Sequence, residues 1–211
     1  MNTSAVLAIG NGESRKGIDL QKYIGTITTV GCNAIHRETI VDHLICCDQR
    51  MVREALADVN IRGSLVYVRE EWYHTFKKLM KHRNVRCLPE LPYSGIGRAD
   101  IPRNWGSGTY AHLIAASLEF QKIYMLGFDL YGRGSLVNNL YRDTENYSIS
   151  RSHAVDPSYW IYQSGKVFQH FSDKEFIIVN YPTWIIPDAW KLPNVRFDST
   201  ESFLTTDIDL L

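Results

Sequence analysis

Residue types that can bind a small molecule occur first in the turn IGNGES, directly after the first apolar run of the chain. Gly10 and Gly12 permit a tight turn and allow a ligand to approach the backbone closely. Asn11 carries an amide that both donates and accepts hydrogen bonds, and Ser14 lies in the first turn of a predicted helix. Because Arg15 occupies the third glycine position, this is not a complete dinucleotide-binding fingerprint, nor is it a Walker loop. The turn predicts a ligand contact, with helix capping by Asn11 as the alternative.

Two further polar residues follow the second and third apolar runs. Asn33 ends the run TTVGCN, and Asp48 ends the run HLICCD. Asn33 is predicted either to hydrogen-bond a ribose or a base, or to serve as an ordinary turn residue. Asp48 is predicted either to contact the same ligand or to cap the helix that begins at Gln49.

The stretch GSGTYAHLIAASLEF places a glycine-flanked hydroxyl at the start of an alanine-rich helix. Ser107 and Thr109 stand at this start, which is predicted to bind an anionic group, because unpaired N–H groups and the helix dipole converge there. A simple N-cap is the alternative. Asp129 and Tyr131 follow the run KIYMLGF and are predicted to lie at the tip of a strand, where Asp129 alternatively satisfies the backbone donors of the next turn.

A long polar segment, residues 131–156, carries three tyrosines, three arginines and His153. A connection of this length inside a compact domain is typically a functional lid or a disordered stretch, and its aromatic and basic side chains favour a lid. His153 is predicted to be a proton acceptor, because histidine titrates near neutrality. No set of histidines, cysteines and carboxylates has metal-ligand spacing, and Asp207-Ile208-Asp209 is interpreted as solvated charge.

The elements that must position these residues are short apolar runs alternating with helical patterns. Runs such as AVLAIG and HLICC are apolar almost throughout, as expected of strands covered on both faces. The alternation predicts an α/β, Rossmann-like domain with a mostly parallel sheet of about seven strands and helices on both faces. Ligands bind such sheets beyond the carboxyl ends of the strands, where all these turns fall. Helices are predicted over residues 13–24, 49–59, 70–83, 107–121 and 157–173, with a last short strand at 195–198.

Composition limits the classes of protein that the chain can belong to. Its 211 residues are predicted to form one domain, residues 1–211, and 23 basic against 23 acidic residues disfavour nucleic acid as the main partner. No apolar run approaches the roughly 20 residues of a membrane span, and the start does not read as a secretion signal. The four cysteines are expected to be reduced thiols, so a cytoplasmic protein is expected.

Taken in order, GNGES, GCN, SGTYAHLIAASLEFQKIYMLGFDLYG and a histidine before a late helix resemble the motifs of the bacterial lipooligosaccharide sialyltransferases. That family has a G-N-G-P-S turn, a C-N pair, and an S-G-x-Y helix running into K-E-I-Y-L-x-G-x-D-x-Y. The resemblance covers residues 5–171 and is densest over 107–131. Related proteins with a G-N-G-P-S-L turn include flagellin-modifying glycosyltransferase-like proteins and archaeal-type hydroxymethylpterin diphosphokinases.

The resemblance implies a metal-independent glycosyltransferase without a cofactor, moving a sialic-acid-like sugar from a CMP-type nucleotide to an acceptor hydroxyl on a glycan or another molecule. It assigns Asn11, Ser14 and Asn33 to the nucleotide, and Ser107 and Gly108 to the donor near the helix start.

The same resemblance implies that Tyr131, with a lid tyrosine such as Tyr141, hydrogen-bonds the departing phosphate. It makes His153 the general base that deprotonates the acceptor.

Two other functions stay open at this point. A pyrophosphate transferase of the hydroxymethylpterin type would need magnesium, with Asp48 and Asp129 as candidate ligands. A nucleotide- or glycan-binding module without catalysis is the non-enzymatic alternative. The sequence leaves the donor sugar, the acceptor and assembly into a homo-oligomer undetermined.

Overall fold

The computed structural model describes residues 5–78, 80–81 and 84–206. Eight strands form one sheet in which every neighbouring pair is parallel, which confirms the α/β, Rossmann-like class with slightly more strands than expected. The strands are β1 (Ala5–Ile9), β2 (Thr28–Cys32), β3 (His43–Cys46), β4 (Leu65–Val68), β5 (Asn84–Cys87), β6 (Lys122–Leu126), β7 (Glu175–Asn180) and β8 (Val195–Ser199).

The order of the strands creates a crevice at the centre of the sheet. The order is β5-β4-β3-β2-β1-β6-β7-β8, so the chain builds outward from β1 in one direction and then, from β6, in the other. The point at which the order reverses lies between β1 and β6, where Ile9 pairs with Leu126 at the carboxyl ends. Parallel sheets bind ligands at such a point.

Helices cover both faces of the sheet because β1 and its neighbours are apolar on both sides. Leu7 belongs to the core on one face, which includes Val52 of the first helix, and Ala8 belongs to the core on the other, which includes Ala111 of the third. The helices are α1 (Gln49–Ala57), α2 (Glu70–Thr75), α3 (Ser107–Ser117), α4 (Ser158–His170) and α5 (Thr200–Thr205).

Two helix predictions are wrong in extent. Residues 13–24 form two short 3-10 turns, Glu13–Arg15 and Leu20–Lys22, because Gly17 between them adopts a left-handed conformation with φ of 82°. The helix predicted over 70–83 ends at Thr75, and residues 79, 82 and 83 of that range lie outside the described residues. The Asp207-Ile208-Asp209 segment also lies outside them.

Residues 131–156, called the lid segment below, lie across the carboxyl edge of β1. The backbone N–H of Leu140 donates to the carbonyl of Asn11, and Asn138 Oδ1 accepts from the N–H of Glu13. Glu13 also holds the guanidinium groups of Arg133 and Arg142, so two of the three lid arginines are paired within the protein.

The tip of the lid segment is tied to the body of the protein by Arg37. Its guanidinium donates to both carboxylate oxygens of Glu54 at 2.6 and 2.7 Å, and also to Thr144 Oγ1 and the carbonyl of Glu145. Glu54 in turn accepts from Asn146 at 2.7 Å. One residue from the body of the protein therefore holds two consecutive residues of the lid segment.

Arg37→Ala is expected to raise hydrogen exchange of the backbone amides around Thr144 by about tenfold, because several contacts that oppose local opening are lost together. Exchange followed by mass spectrometry measures this. Arg196→Ala, which breaks a comparable pair with Glu175 across β7 and β8, is the control and should leave the lid segment unchanged. Equal exchange in both variants would contradict a latching role for Arg37.

The remaining fold-level findings concern cysteines and membranes. The four cysteines are free thiols, three of them buried and Cys87 exposed. No helix among the described residues is long and apolar enough to cross a membrane.

Candidate ligand-binding site

A cavity of about 420 Å³ opens at the carboxyl ends of β1 and β6. This volume lies in the usual range for small-molecule sites. The turns after β1, β2, β3 and β6, the beginnings of α3 and α4, and the lid segment form its walls. Nine residues predicted from the sequence line it, namely Gly10, Asn11, Gly12, Asn33, Asp48, Ser107, Gly108, Asp129 and Tyr131.

Three residues predicted for the site lie outside the lining. Ser14 is buried and bonded to Asp129. Tyr141 is buried beside Arg15, whose Nη2 donates to its hydroxyl at 2.9 Å. His153 is exposed, and its backbone pairs with Leu136 at the edge of the lid segment, so only its successors Ala154 and Val155 reach the cavity.

The glycines of the first turn serve contacts within the protein. A Cβ atom at Gly10 would lie 2.3 Å from the carbonyl oxygen of Gly127, and one at Gly12 would lie 2.3 Å from Asp129 Cγ. Both distances are too short for any side chain. These glycines are therefore required for the turn after β1 to pack against the turn after β6.

Asp129 joins the same two turns through its side chain. Its carboxylate accepts from the backbone N–H of Ser14 at 2.9 Å and from the Ser14 hydroxyl. Its carbonyl accepts from the indole N–H of Trp184 at 2.8 Å. Although Asp129 lines the cavity, its carboxylate is thus already engaged in holding the first turn.

The start of α3 is the feature of the cavity whose geometry suits an anion. Ser107 Oγ donates to Asn33 Oδ1 at 2.8 Å and accepts from the N–H of Cys47 at 2.9 Å, so its hydroxyl is engaged in fixing α3 against β2 and β3. The first N–H groups of an α-helix have no partner within the helix, and the N-cap Gly106 supplies no side-chain acceptor. The N–H groups of Ser107 and Gly108 are therefore available to a negatively charged group.

Asn11 and Tyr147 form a polar contact between the first turn and the lid segment. Asn11 Nδ2 donates to the Tyr147 hydroxyl at 2.9 Å, while Asn11 Oδ1 is buried without a hydrogen-bond partner in the described residues. Burial raises the pKa of Tyr147, so its hydroxyl stays protonated and can donate in turn. Tyr147, and not Tyr141, is the second lid tyrosine in the cavity.

One part of the lining, formed by Thr109, His112 and Ser164 and called the closed end below, is almost inaccessible to solvent. His112 of α3 is buried, and its Nδ1 lies 2.9 Å from Ser164 Oγ of α4. Its Nε2 has no hydrogen-bond partner in the described part of the chain. Burial lowers the pKa of His112 to about 3, so the ring is neutral at physiological pH.

The solvent-exposed part of the lining, called the mouth below, includes a carboxylate and a phenol. Asp48 is exposed at the start of α1, and its carboxylate does not cap the helix. Tyr131 is 36% exposed, and its ring lies 6.2 Å from that of Trp184. Burial raises the pKa of Tyr131, so its hydroxyl remains a donor.

Sequence reasoning missed several residues of the lining. His112 follows Gly108 by four residues and Thr109 by three, so helical spacing alone would have placed it on the same face of α3. No comparable signal distinguishes Tyr147 from Tyr141. The missed residues that matter most are His112, Asn138, Tyr147, Trp160 and Ser164.

Among the described residues, no group of three or more histidine, cysteine, aspartate or glutamate side chains is arranged to hold a metal ion. Comparison with family models, with curated proteins and with solved structures finds no match for this chain.

Proposed function

We propose that this protein is a metal-independent glycosyltransferase that binds a CMP-type nucleotide sugar in the cavity and transfers its sugar to an acceptor hydroxyl. The observation that carries the proposal is the arrangement of the cavity around the start of α3. The start of α3 offers uncapped N–H groups suited to a phosphate, and the same cavity is lined by the neutral ring of His112 and the exposed carboxylate of Asp48. The resemblance to the sialyltransferases supports the same class of reaction.

The charges of the lining favour a donor with a single phosphate. Within the described part of the chain, the lining includes Asp48 and Asp129 but neither lysine nor arginine. The phosphate would therefore depend on the N–H groups and dipole of α3, which supply only about half a positive charge. A diphosphate donor would place two adjacent phosphate charges at the start of α3, whereas a nucleoside monophosphate sugar places one there and a sialic-acid-like sugar carries its carboxylate separately.

The reaction is a direct displacement at the anomeric carbon of the sugar. The acceptor oxygen forms a bond to this carbon while the bond to the phosphate oxygen breaks, and the nucleotide leaves with that electron pair. Tyr131 and Tyr147 line the cavity, and their hydroxyls would donate to the phosphate as its charge develops. The lid segment would exclude water, which favours transfer over hydrolysis.

The proton of the acceptor hydroxyl needs a base near the mouth. Asp48 is the carboxylate that lines this part of the cavity without capping its helix. His153 remains the second candidate, although reaching the acceptor would require the lid segment to shift, because its side chain lies outside the lining. We therefore place the base function on Asp48.

Pyrophosphate transfer with magnesium is the second candidate function, because Asp48 and Asp129 both line the cavity. Asp129 would first have to release the backbone N–H and hydroxyl of Ser14.

Thermal unfolding with a panel of ligands tests the proposal. CMP and CMP-sialic acid without magnesium are expected to stabilise the protein by about 2.7 kcal/mol at a hundredfold excess over Kd. UDP- and GDP-sugars should stabilise it less, and inorganic phosphate is the control for simple anion binding. Stabilisation by ATP only with magnesium would favour pyrophosphate transfer. Binding of CMP-sialic acid with neither transfer nor hydrolysis would leave a binding module, and no effect of any nucleotide would overturn the proposal.

A further inference from the structure

The closed end of the cavity contains a polar atom that nothing in the described protein satisfies. Among the lining residues, Thr109, His112 and Ser164 are almost inaccessible to solvent, whereas Asp48 and Tyr131 at the mouth are exposed. Ser164 engages His112 Nδ1, which leaves Nε2 as the ring atom free for a ligand. A buried polar atom without a partner is rare in folded proteins and points to a missing hydrogen bond.

The surroundings of His112 determine which chemical group can enter. Its ring is neutral and packs edge-on against Phe128, with centroids 4.2 Å apart. The ring centroids of Phe168 and Trp190 lie 5.9 and 6.4 Å from that of His112. A phosphate or carboxylate would lose its hydration here without gaining a positive charge. The group must therefore be uncharged, must tolerate an aromatic environment, and must hydrogen-bond a single imidazole nitrogen.

The position of His112 on α3 gives the distance between this uncharged group and a phosphate bound at the start of the helix. Gly108 and His112 are one turn apart on the same face of α3, which corresponds to about 6 Å along the helix axis. A ligand whose phosphate lies at the start of α3 would thus extend along the helix to reach His112. The ring of Phe128 borders this path, because it lies 4.2 Å from the His112 ring and 3.5 Å from the position of a Cβ atom at Gly108, and a planar base can pack against such a ring.

A transferred sugar must meet its acceptor, so it belongs at the mouth, whereas the base of a nucleotide takes no part in the reaction and can be fully enclosed. We propose that the closed end of the cavity binds the nucleobase of the donor and that His112 Nε2 hydrogen-bonds a ring or exocyclic heteroatom of that base. The inference rests on the proposed function, because it presumes that the ligand is a nucleotide.

Two substitutions of His112 test Nε2, the atom proposed to bind the base, separately from Nδ1, the atom that contacts Ser164 Oγ. Asparagine places an amide near the position of Nδ1 and removes the atom at Nε2, whereas glutamine reaches the position of Nε2. His112→Asn is expected to weaken CMP binding about tenfold, which corresponds to one lost hydrogen bond of ordinary strength, and His112→Gln should recover part of it. Ribose 5-phosphate, which has no base, should bind the wild type and both variants equally.

Calorimetry with CMP, CMP-sialic acid and ribose 5-phosphate gives distinguishable outcomes. If the wild type binds no nucleotide, the proposed function itself fails. If it binds CMP and His112→Asn binds CMP equally well, the base assignment fails while the proposed function stands. If the variant weakens CMP-sialic acid but not CMP, the sugar occupies the closed end, which also overturns the assignment.

A measurement on the wild type keeps the inference testable if the variants do not fold. The imidazole ¹⁵N resonance of His112 Nε2 is expected to shift on addition of CMP, because a new hydrogen bond changes its electronic environment. Ribose 5-phosphate at the same fractional saturation should leave the resonance in place. An unchanged Nε2 resonance in the presence of saturating CMP would overturn the inference.

Discussion

Asp48→Asn is expected to lower the rate of sugar transfer by about 10²- to 10⁴-fold, the usual contribution of a well-placed general base. The amide keeps the shape of the side chain but has no lone pair basic enough to accept the acceptor's proton. Asp48 directly follows Cys47, whose N–H donates to Ser107 Oγ, so its carboxylate lies close to the start of α3, and removing its charge should leave the affinity for CMP unchanged or slightly higher. Steady-state kinetics with CMP-sialic acid and calorimetry with CMP measure the two effects.

Asp173→Asn and His153→Ala complete this experiment. Asp173 is an exposed carboxylate just before β7, at the opposite edge of the sheet, so its amide variant should retain the wild-type rate. His153→Ala should have a smaller effect than Asp48→Asn if the lid segment keeps its position. Full activity of Asp48→Asn together with an inactive His153→Ala would transfer the role of base to His153.

Asp129→Ala is expected to destabilise the protein by about 3 kcal/mol, because the substitution leaves the buried N–H and hydroxyl of Ser14 without an acceptor. For a chain of this length, that loss corresponds to a Tm lower by about 6–12 °C. CMP affinity should fall as well, since the turn after β1 would lose its anchor. Thermal and urea unfolding of the ligand-free protein measure the first effect.

Asp156→Ala is the matched control for this prediction. Asp156 also accepts from a serine N–H and hydroxyl, those of Ser158, but it is exposed, so water replaces the lost acceptor. Its removal should cost less than about 1 kcal/mol. If Asp129→Ala were no more destabilising than Asp156→Ala and only abolished binding, Asp129 would be a ligand contact and not a structural residue.

The lid segment shows why the sequence alone could not predict which of two nearby tyrosines lines the cavity. Tyr141 and Tyr147 are six positions apart in a stretch without regular periodicity, so neither helical nor strand spacing indicates which one faces inward. The choice depends on partners far along the chain. Arg15 and Glu38 contact the Tyr141 side chain, whereas Asn11 donates a hydrogen bond to the Tyr147 hydroxyl.

The first turn shows how long-range contacts overrode local preference. Residues 13–24 were predicted as a helix, yet the buried Arg15 donates to the carbonyl of Gly10 and to Glu38. Burial alone would lower the pKa of Arg15, but the hydrogen bond with Glu38 and the nearby carboxylate charge raise it overall. These contacts and the left-handed Gly17 favour short turns over a continuous helix.

The amino-acid sequence by itself determined the class of fold and the edge of the sheet at which the candidate site lies. Both depend on local information, because unbroken apolar runs indicate parallel strands and the polar turns after them must meet at the carboxyl edge. Tertiary structure alone decided that His112 lines the cavity with an unpaired Nε2, that Asp129 holds Ser14 and that His153 lies outside the lining. These outcomes depend on packing between segments some 50 to 115 positions apart, which hydrophobic periodicity does not encode.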